Sequence, residues 1–171
     1  MRAFARRLPA RRALAALLLG CAVAAPALAV RDSGPAPDFT LASHVGSNHR
    51  LLEQRGKVVV LNFWNAACAL CRDQMAVLNR LYEKHRAAGV VMYAINIDDI
   101  ESTALNATAR LGLSYPVLID RDKRAARAYQ LVNVPSAVII DRDGRIRHAY
   151  RDYTREHAAA YERQIQELLR E

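Results

Sequence analysis

The chain has 171 residues, the length of one ordinary domain, with 52% hydrophobic and 25% charged residues. Such a composition allows a sizeable core and excludes intrinsic disorder, while only Gly 7 and Pro 6 exclude collagen-like and linker-like chains. The formal charge of +8 invites a polyanion, but Arg2, Arg6, Arg7, Arg11 and Arg12 supply five of those charges ahead of the first acid, Asp32. Taking five from eight leaves +3 beyond residue 29, so no nucleic-acid partner is expected.

Residues 1–12 are basic, residues 13–25 form an apolar run, and Ala27-Leu28-Ala29 is a small-x-small site just after Pro26. This is the pattern of a signal peptide over residues 1–29, cut after Ala29. Two alternatives stay open. Leu18-Leu19-Gly20-Cys21 has the form of a lipobox, which would make Cys21 a lipidated first residue, or the segment stays uncut as an anchor. Arg11-Arg12 adds a faint twin-arginine signal. Each version puts the rest of the chain in the periplasm or an equivalent extracytoplasmic space. Membrane contact is then confined to this segment.

Residues 30–37 read as a linker, and 38–171 as the domain. Asp38 to Ala42 and Arg50 to Leu52 read as short strands. Val58 to Trp64 is a continuous apolar run, the signature of a strand buried on both faces. The period then changes: Cys68, Cys71, Met75, Leu78, Tyr82 and His85 recur at steps of three and four, which predicts a helix ended by Ala88-Gly89. Val90 to Ile97 is a second buried strand. Asp98 or Asp99 is expected to cap a helix through about Leu111.

Tyr115 to Ile119 reads as a strand, Asp122 to Tyr129 as a short basic helix, and Ser136 to Ile140 as a strand. Asp143-Gly144 is a two-residue hairpin signal joining that strand to Arg145–Tyr150. Thr154 can cap a last helix whose buried stripe is Ala158, Tyr161, Ile165, Leu168 and Leu169. The order is that of an α/β fold with parallel strands early and an antiparallel hairpin late.

Apart from Cys21, the cysteines are Cys68 and Cys71, a CxxC in a compartment where disulfides persist. So short a loop staples little, because closure entropy grows with loop length; the pair is expected to do chemistry. Cys68 falls where a buried strand gives way to a helix, and the unpaired N–H groups and dipole there favour a thiolate. One turn on, Cys71 can resolve the mixed disulfide that Cys68 forms. No cofactor or metal is required beyond the redox-active disulfide Cys68–Cys71.

The strand Val59-Val60-Leu61-Asn62-Phe63-Trp64 with Cys68-x-x-Cys71 resembles the active-site strand and helix of the TlpA/ResA-like branch of the thioredoxin superfamily. Ala36-Pro37-Asp38-Phe39-Thr40-Leu41 is similar to its opening strand. Val134-Pro135-Ser136, and Val138 through Ile146, resemble its cis-proline loop and closing hairpin. The resemblance implies a thioredoxin-like fold, a central mixed sheet flanked by helices on both faces. It implies a cis Pro135 facing the CxxC, with the Val134 backbone free to pair with a substrate segment. It also implies a periplasmic thiol–disulfide oxidoreductase acting as a reductant, as in cytochrome c maturation. The expected partners are a disulfide-bearing client protein and an upstream, membrane-bound thiol donor.

Departures from these patterns stand out. Ala67 replaces the branch's Trp ahead of the first cysteine, and Ala69-Leu70 lacks the frequent Pro between the cysteines. Gln74 stands where Glu is frequent, and Asn62 where thioredoxin keeps Asp, so neither position offers a carboxylate base to Cys71. Trp64 reads equally as a wall of the substrate groove or as core. An inert disulfide and an idle adaptor are the bland alternatives. Cu(I) held by Cys68 and Cys71, with His148 as a third ligand, is the sharper one. Peroxidase chemistry is disfavoured, since Leu61 and Asn65 stand where a peroxidatic site has Pro and a hydroxyl residue.

Overall fold

A computed structural model describes residues 33–171; the signal-peptide, lipobox and anchor readings, with Cys21, lie outside those residues. The strands are β1 (Gly34–Pro35), β2 (Thr40–Ala42), β3 (Asn48–Arg50), β4 (Val58–Trp64), β5 (Val90–Asn96), β6 (Val117–Ile119), β7 (Ser136–Ile140) and β8 (Arg145–Tyr150). The α-helices are α1 (Ala69–His85), α2 (Glu101–Thr108), α3 (Arg124–Ala128) and α4 (Arg155–Arg170). Among the described residues a six-stranded mixed sheet has the order β1-β8-β7-β4-β5-β6, with β2 and β3 forming a separate ribbon.

β4 lies inside the sheet, parallel to β5 and antiparallel to β7, and all of its residues are buried. Its side chains alternate between two cores. Val58, Val60 and Trp64 pack with Cys71, Met75 and Leu78 of α1 and with Tyr161, Ile165 and Leu168 of α4. Val59, Leu61 and Phe63 pack on the other side with Phe39, Tyr93 and Tyr129. The period of two sends Asn62 to the α1 side. Each fully buried aliphatic or Phe side chain contributes about 1.5–3 kcal/mol relative to exposure, so the site is set at the end of a strand buried on both faces.

α1 begins where Cys68 leaves extended backbone and carries Lys84 in its last turn, where a cation suits the dipole. Gly89 closes the following 3-10 turn at φ 104, a left-handed conformation that a side chain would resist.

Several expected boundaries shift, and aspartates cause most of the shifts. The strand expected over 38–42 is only β2. Its partner is 48–50 rather than 50–52, where residues 51–54 form a 3-10 turn. Asp38 joins the two ends through its side chain, accepting from Arg50 Nε at 2.8 Å and from the Leu52 N–H at 2.9 Å. The helix expected to start at Asp98 or Asp99 runs only over 101–108, and neither aspartate caps it. The short basic helix is 124–128, not 122–129. Its first N–H groups, on Ala125 and Ala126, go to the buried carboxylate of Asp120 at 3.2 and 2.8 Å. The late hairpin is not a two-residue turn. The Asp141 N–H bonds the Arg145 carbonyl at 3.0 Å around a loop of 142–144, with Gly144 at φ 71 and a register shift at Ile139/Ile140.

Gly34–Pro35, in the stretch read as a linker, pairs with β8. The charged run near α3 is largely tied up: Arg121 pairs with Glu101, Lys123 with Asp99 at 2.6 Å, and Arg124 with Asp122 at 3.6 Å. Among the described residues no helix is long and apolar enough to cross a membrane.

Candidate active site

The parallel strands β4 and β5 end side by side at Trp64 and Asn96, and the antiparallel β7 begins at the same edge. At the carboxyl ends of parallel strands the chain turns from sheet to helix and leaves a crevice, the usual place for a site in an α/β protein. Residues 65–67 make that turn here. Asp98 holds them: its Oδ2 accepts the Ala66 N–H at 2.9 Å and Asn96 Nδ2 at 2.8 Å. Its own N–H bonds Asn96 Oδ1 at 3.0 Å. The aspartate expected to cap a helix instead fixes the loop that delivers Cys68.

Cys68 is the N-cap of α1, and its Sγ accepts the Cys71 backbone N–H at 3.0 Å. The first turn of α1 contains no acidic residue. A negative charge on Cys68 Sγ is therefore met by an oriented N–H and the positive end of the dipole. Cys68 is half-buried, whereas Cys71 is fully buried, and the two sulfurs are joined as a disulfide with the Cα atoms 5.3 Å apart. The Val134–Pro135 peptide is cis. Ala67, Cys68, Leu70, Val134 and Pro135 line one shallow depression, so the structure brings the cysteine pair and the proline loop together.

Trp64 does not line that depression. At 1% exposure it is a core residue, because it sits on the inward row of β4. Asn62, on the same inward row of β4, and Gln74, one turn past Cys71 on α1, form the floor: Asn62 Nδ2 donates to Gln74 Oε1, and Gln74 Nε2 donates to Tyr161 Oη at 2.8 Å. Burial raises the Tyr161 phenol far above its ordinary pKa, although the Gln74 bond opposes the shift, so the whole chain of groups is neutral. The side chains at Asn62, Gln74 and Tyr161 thus form a neutral relay. Asn62 Oδ1 is buried with no hydrogen-bond partner.

His148 lies on β8, paired with Ile139. Burial, and secondarily the charge of Arg147, lower its pKa from 6.5. Among the described residues no three His, Cys, Asp or Glu side chains gather as metal ligands, so His148 does not complete a copper site with the cysteines. Sequence reasoning missed Asn96 and Asp98 as supports of the loop, and Tyr161 as the end of the amide relay. A buried Asn two residues before an Asp, at the end of a strand, was the only available signal for the first two.

Three comparisons bear on this geometry. ResA, a thiol-disulfide oxidoreductase of Geobacillus kaustophilus, is 36% identical over 108 residues, 63% of this chain and 62% of that protein. The chain thus matches less than two thirds of that relative's length. A solved structure from Chlorobium tepidum, assigned as the thiol:disulfide interchange protein DsbE, superposes with a TM-score of 0.78 at 28% identity, covering 82% of this chain and 99% of that one. The thioredoxin domain of a Bacteroides vulgatus thiol-disulfide oxidoreductase gives 0.72 at 20% identity over 82% and 99% of the two chains, which establishes the thioredoxin-like fold. The AhpC/TSA family profile matches residues 33–149, from the strand pairing with β8 through most of β8 itself, and with more than half its length inside that match the chain belongs to the AhpC/TSA family.

Proposed function

We propose that this protein is an extracytoplasmic thiol–disulfide oxidoreductase that reduces disulfides in client proteins. One observation carries the reading: a half-buried sulfur at a helix N-terminus, with a fully buried partner sulfur one turn on and a proline loop in the same depression. The names of the ResA and DsbE relatives support the same reaction class.

In the reduced protein the Cys68 thiolate attacks one sulfur of a client disulfide. A Cys68–client S–S bond forms, the client bond breaks, and one client sulfur leaves as a thiolate that takes up a proton. Cys71, deprotonated, then attacks Cys68 Sγ. The Cys68–Cys71 disulfide forms and the second client sulfur leaves, so two electrons have passed from the pair to the client. An upstream membrane-bound thiol donor returns them by the same exchange in reverse. The backbone of Val134, next to Pro135, offers an edge to which an extended client segment pairs. Reduction of a haem-attachment disulfide in cytochrome c maturation is the role that fits this direction. Asn65 and the buried Leu61 provide no hydroxyl beside Cys68 for peroxide.

The test is trapping. A Cys71→Ser variant should accumulate a mixed disulfide through Cys68, and Cys68→Ser should accumulate none. Trapping through Cys71, or tight Cu(I) binding without any reduction of a disulfide, overturns the reading.

A further inference from the structure

Beside the cysteine depression, and sharing Asn65 with it, lies a cleft of about 270 Å³ lined by Trp64, Arg72, Ala107, Arg110 and Leu111. Its position at the carboxyl end of β4 is set by the same strand-to-helix turn that places Cys68. Both charged side chains on its wall are arginines, one directly after Cys71 and one just past α2. Among the described residues neither guanidinium has a carboxylate partner. The nearby Asp98 carboxylate is already committed to the Ala66 N–H and to Asn96. At the floor, the buried Trp64 closes the cleft with an aromatic surface. Two exposed planar cations without carboxylate partners on one concave wall match an oxyanion with two acceptor oxygens, which is the chemistry of a carboxylate.

We propose that this cleft takes the side-chain carboxylate of an Asp or Glu lying next to the reactive cysteine of a client polypeptide. The inference rests on the exchange reading above and specifies which clients the exchange favours. A client cysteine over Cys68 leaves its neighbouring residue within reach of the shared Asn65 wall. The exposed Leu70, lining the cysteine depression, offers an apolar contact to the same segment. Recognition here combines charge from the two arginines with apolar surface from Leu70.

The full chain, reduced, is assayed with paired synthetic peptide disulfides that differ only by Glu or Gln next to the attacked cysteine, and with oxidised glutathione and the neutral hydroxyethyl disulfide. The readout is the ratio of kcat/KM for the Glu peptide over the Gln peptide, which cancels any effect of arginine charge on Cys68 itself. A preference of roughly fivefold to tenfold for Glu, carried in KM and weakened by salt, is expected. The ratio should fall to about one in the Arg72→Gln, Arg110→Gln double variant and persist in Arg124→Gln on α3. A ratio near one in the unaltered protein, or one that survives the double variant, overturns the proposal. So does an arginine-dependent preference confined to oxidised glutathione, which would assign the cleft to small disulfides. Failure to reduce any of the probes, hydroxyethyl disulfide included, sinks the exchange reading instead.

Discussion

The mouth and the floor of the site are built on opposite principles. At the mouth, Ala67, Cys68, Leu70 and Val134 present small or apolar groups and backbone to solvent, and the order comes from a neighbouring strand through Asp98. At the floor, Asn62, Gln74 and Tyr161 are fully buried and hold one another through side-chain hydrogen bonds with no charge among them. The contrast separates two tasks. On the proposed exchange reading, the outer sulfur is activated by backbone and helix dipole and left accessible, while the inner sulfur is shielded in surroundings whose protonation does not change over the physiological range.

Substituting Asn62→Asp breaks that contrast most strongly, by placing an ionisable group in the floor. Protonated, the new carboxyl can still donate to Gln74 Oε1; ionised, it faces that oxygen without a proton to share. Its folded pKa should therefore rise above the unfolded value of about 3.9. The folded state then holds the proton longer, and stability falls as pH rises from about 4 toward the raised pKa. At neutral pH the loss should reach about 3 kcal/mol, equivalent to a shift of roughly two pH units, and urea unfolding across pH measures it. A flat profile identical to that of the unaltered protein would show that the floor tolerates charge.

Asp98→Ala should be next in size, removing acceptors from the Ala66 N–H and Asn96 Nδ2. A loss of about 2 kcal/mol is expected from these charge-assisted bonds. Because the loop carrying Cys68 loosens, kcat/KM for disulfide reduction should fall more than the melting temperature alone would explain. Tyr161→Phe is the smallest of the three. It leaves Gln74 Nε2 buried without an acceptor and should cost about 1–2 kcal/mol, with little effect on the reactivity of Cys68. If Tyr161→Phe instead slows the first attack as much as Asp98→Ala does, mouth and floor are not separate devices.

The elements whose side chains repeat at a clear period were legible in the sequence. β4 falls on its expected limits and α1 starts within a residue of its own, since burial on both faces or on one stripe leaves a continuous signal. α1 gives way at His85 to a 3-10 turn over 86–88 before Gly89. The cysteine pair and the Val134–Pro135 loop were legible from short motifs. Boundaries failed where an aspartate side chain took over a backbone N–H: Asp38 at the first ribbon, Asp98 before α2, Asp120 before α3 and Asp141 at the hairpin. Propensity rules assign such residues to turns or caps and do not say which distant N–H they will reach. The relay from Gln74 to Tyr161 spans 87 residues of sequence and the Ala66–Asp98 bond spans 32. Neither leaves a local trace, and Trp64 could be assigned to core or groove only once β4 had a side.

The difference in reactivity between the two sulfurs is measured directly by alkylating the reduced, folded chain over a range of pH and quantifying each cysteine by mass spectrometry. Cys68 should react first, with its rate rising at a pH below the ordinary thiol value of about 8.5, while Cys71 stays protected until denaturant is added. Equal labelling of the two, or faster labelling of Cys71, would contradict the account.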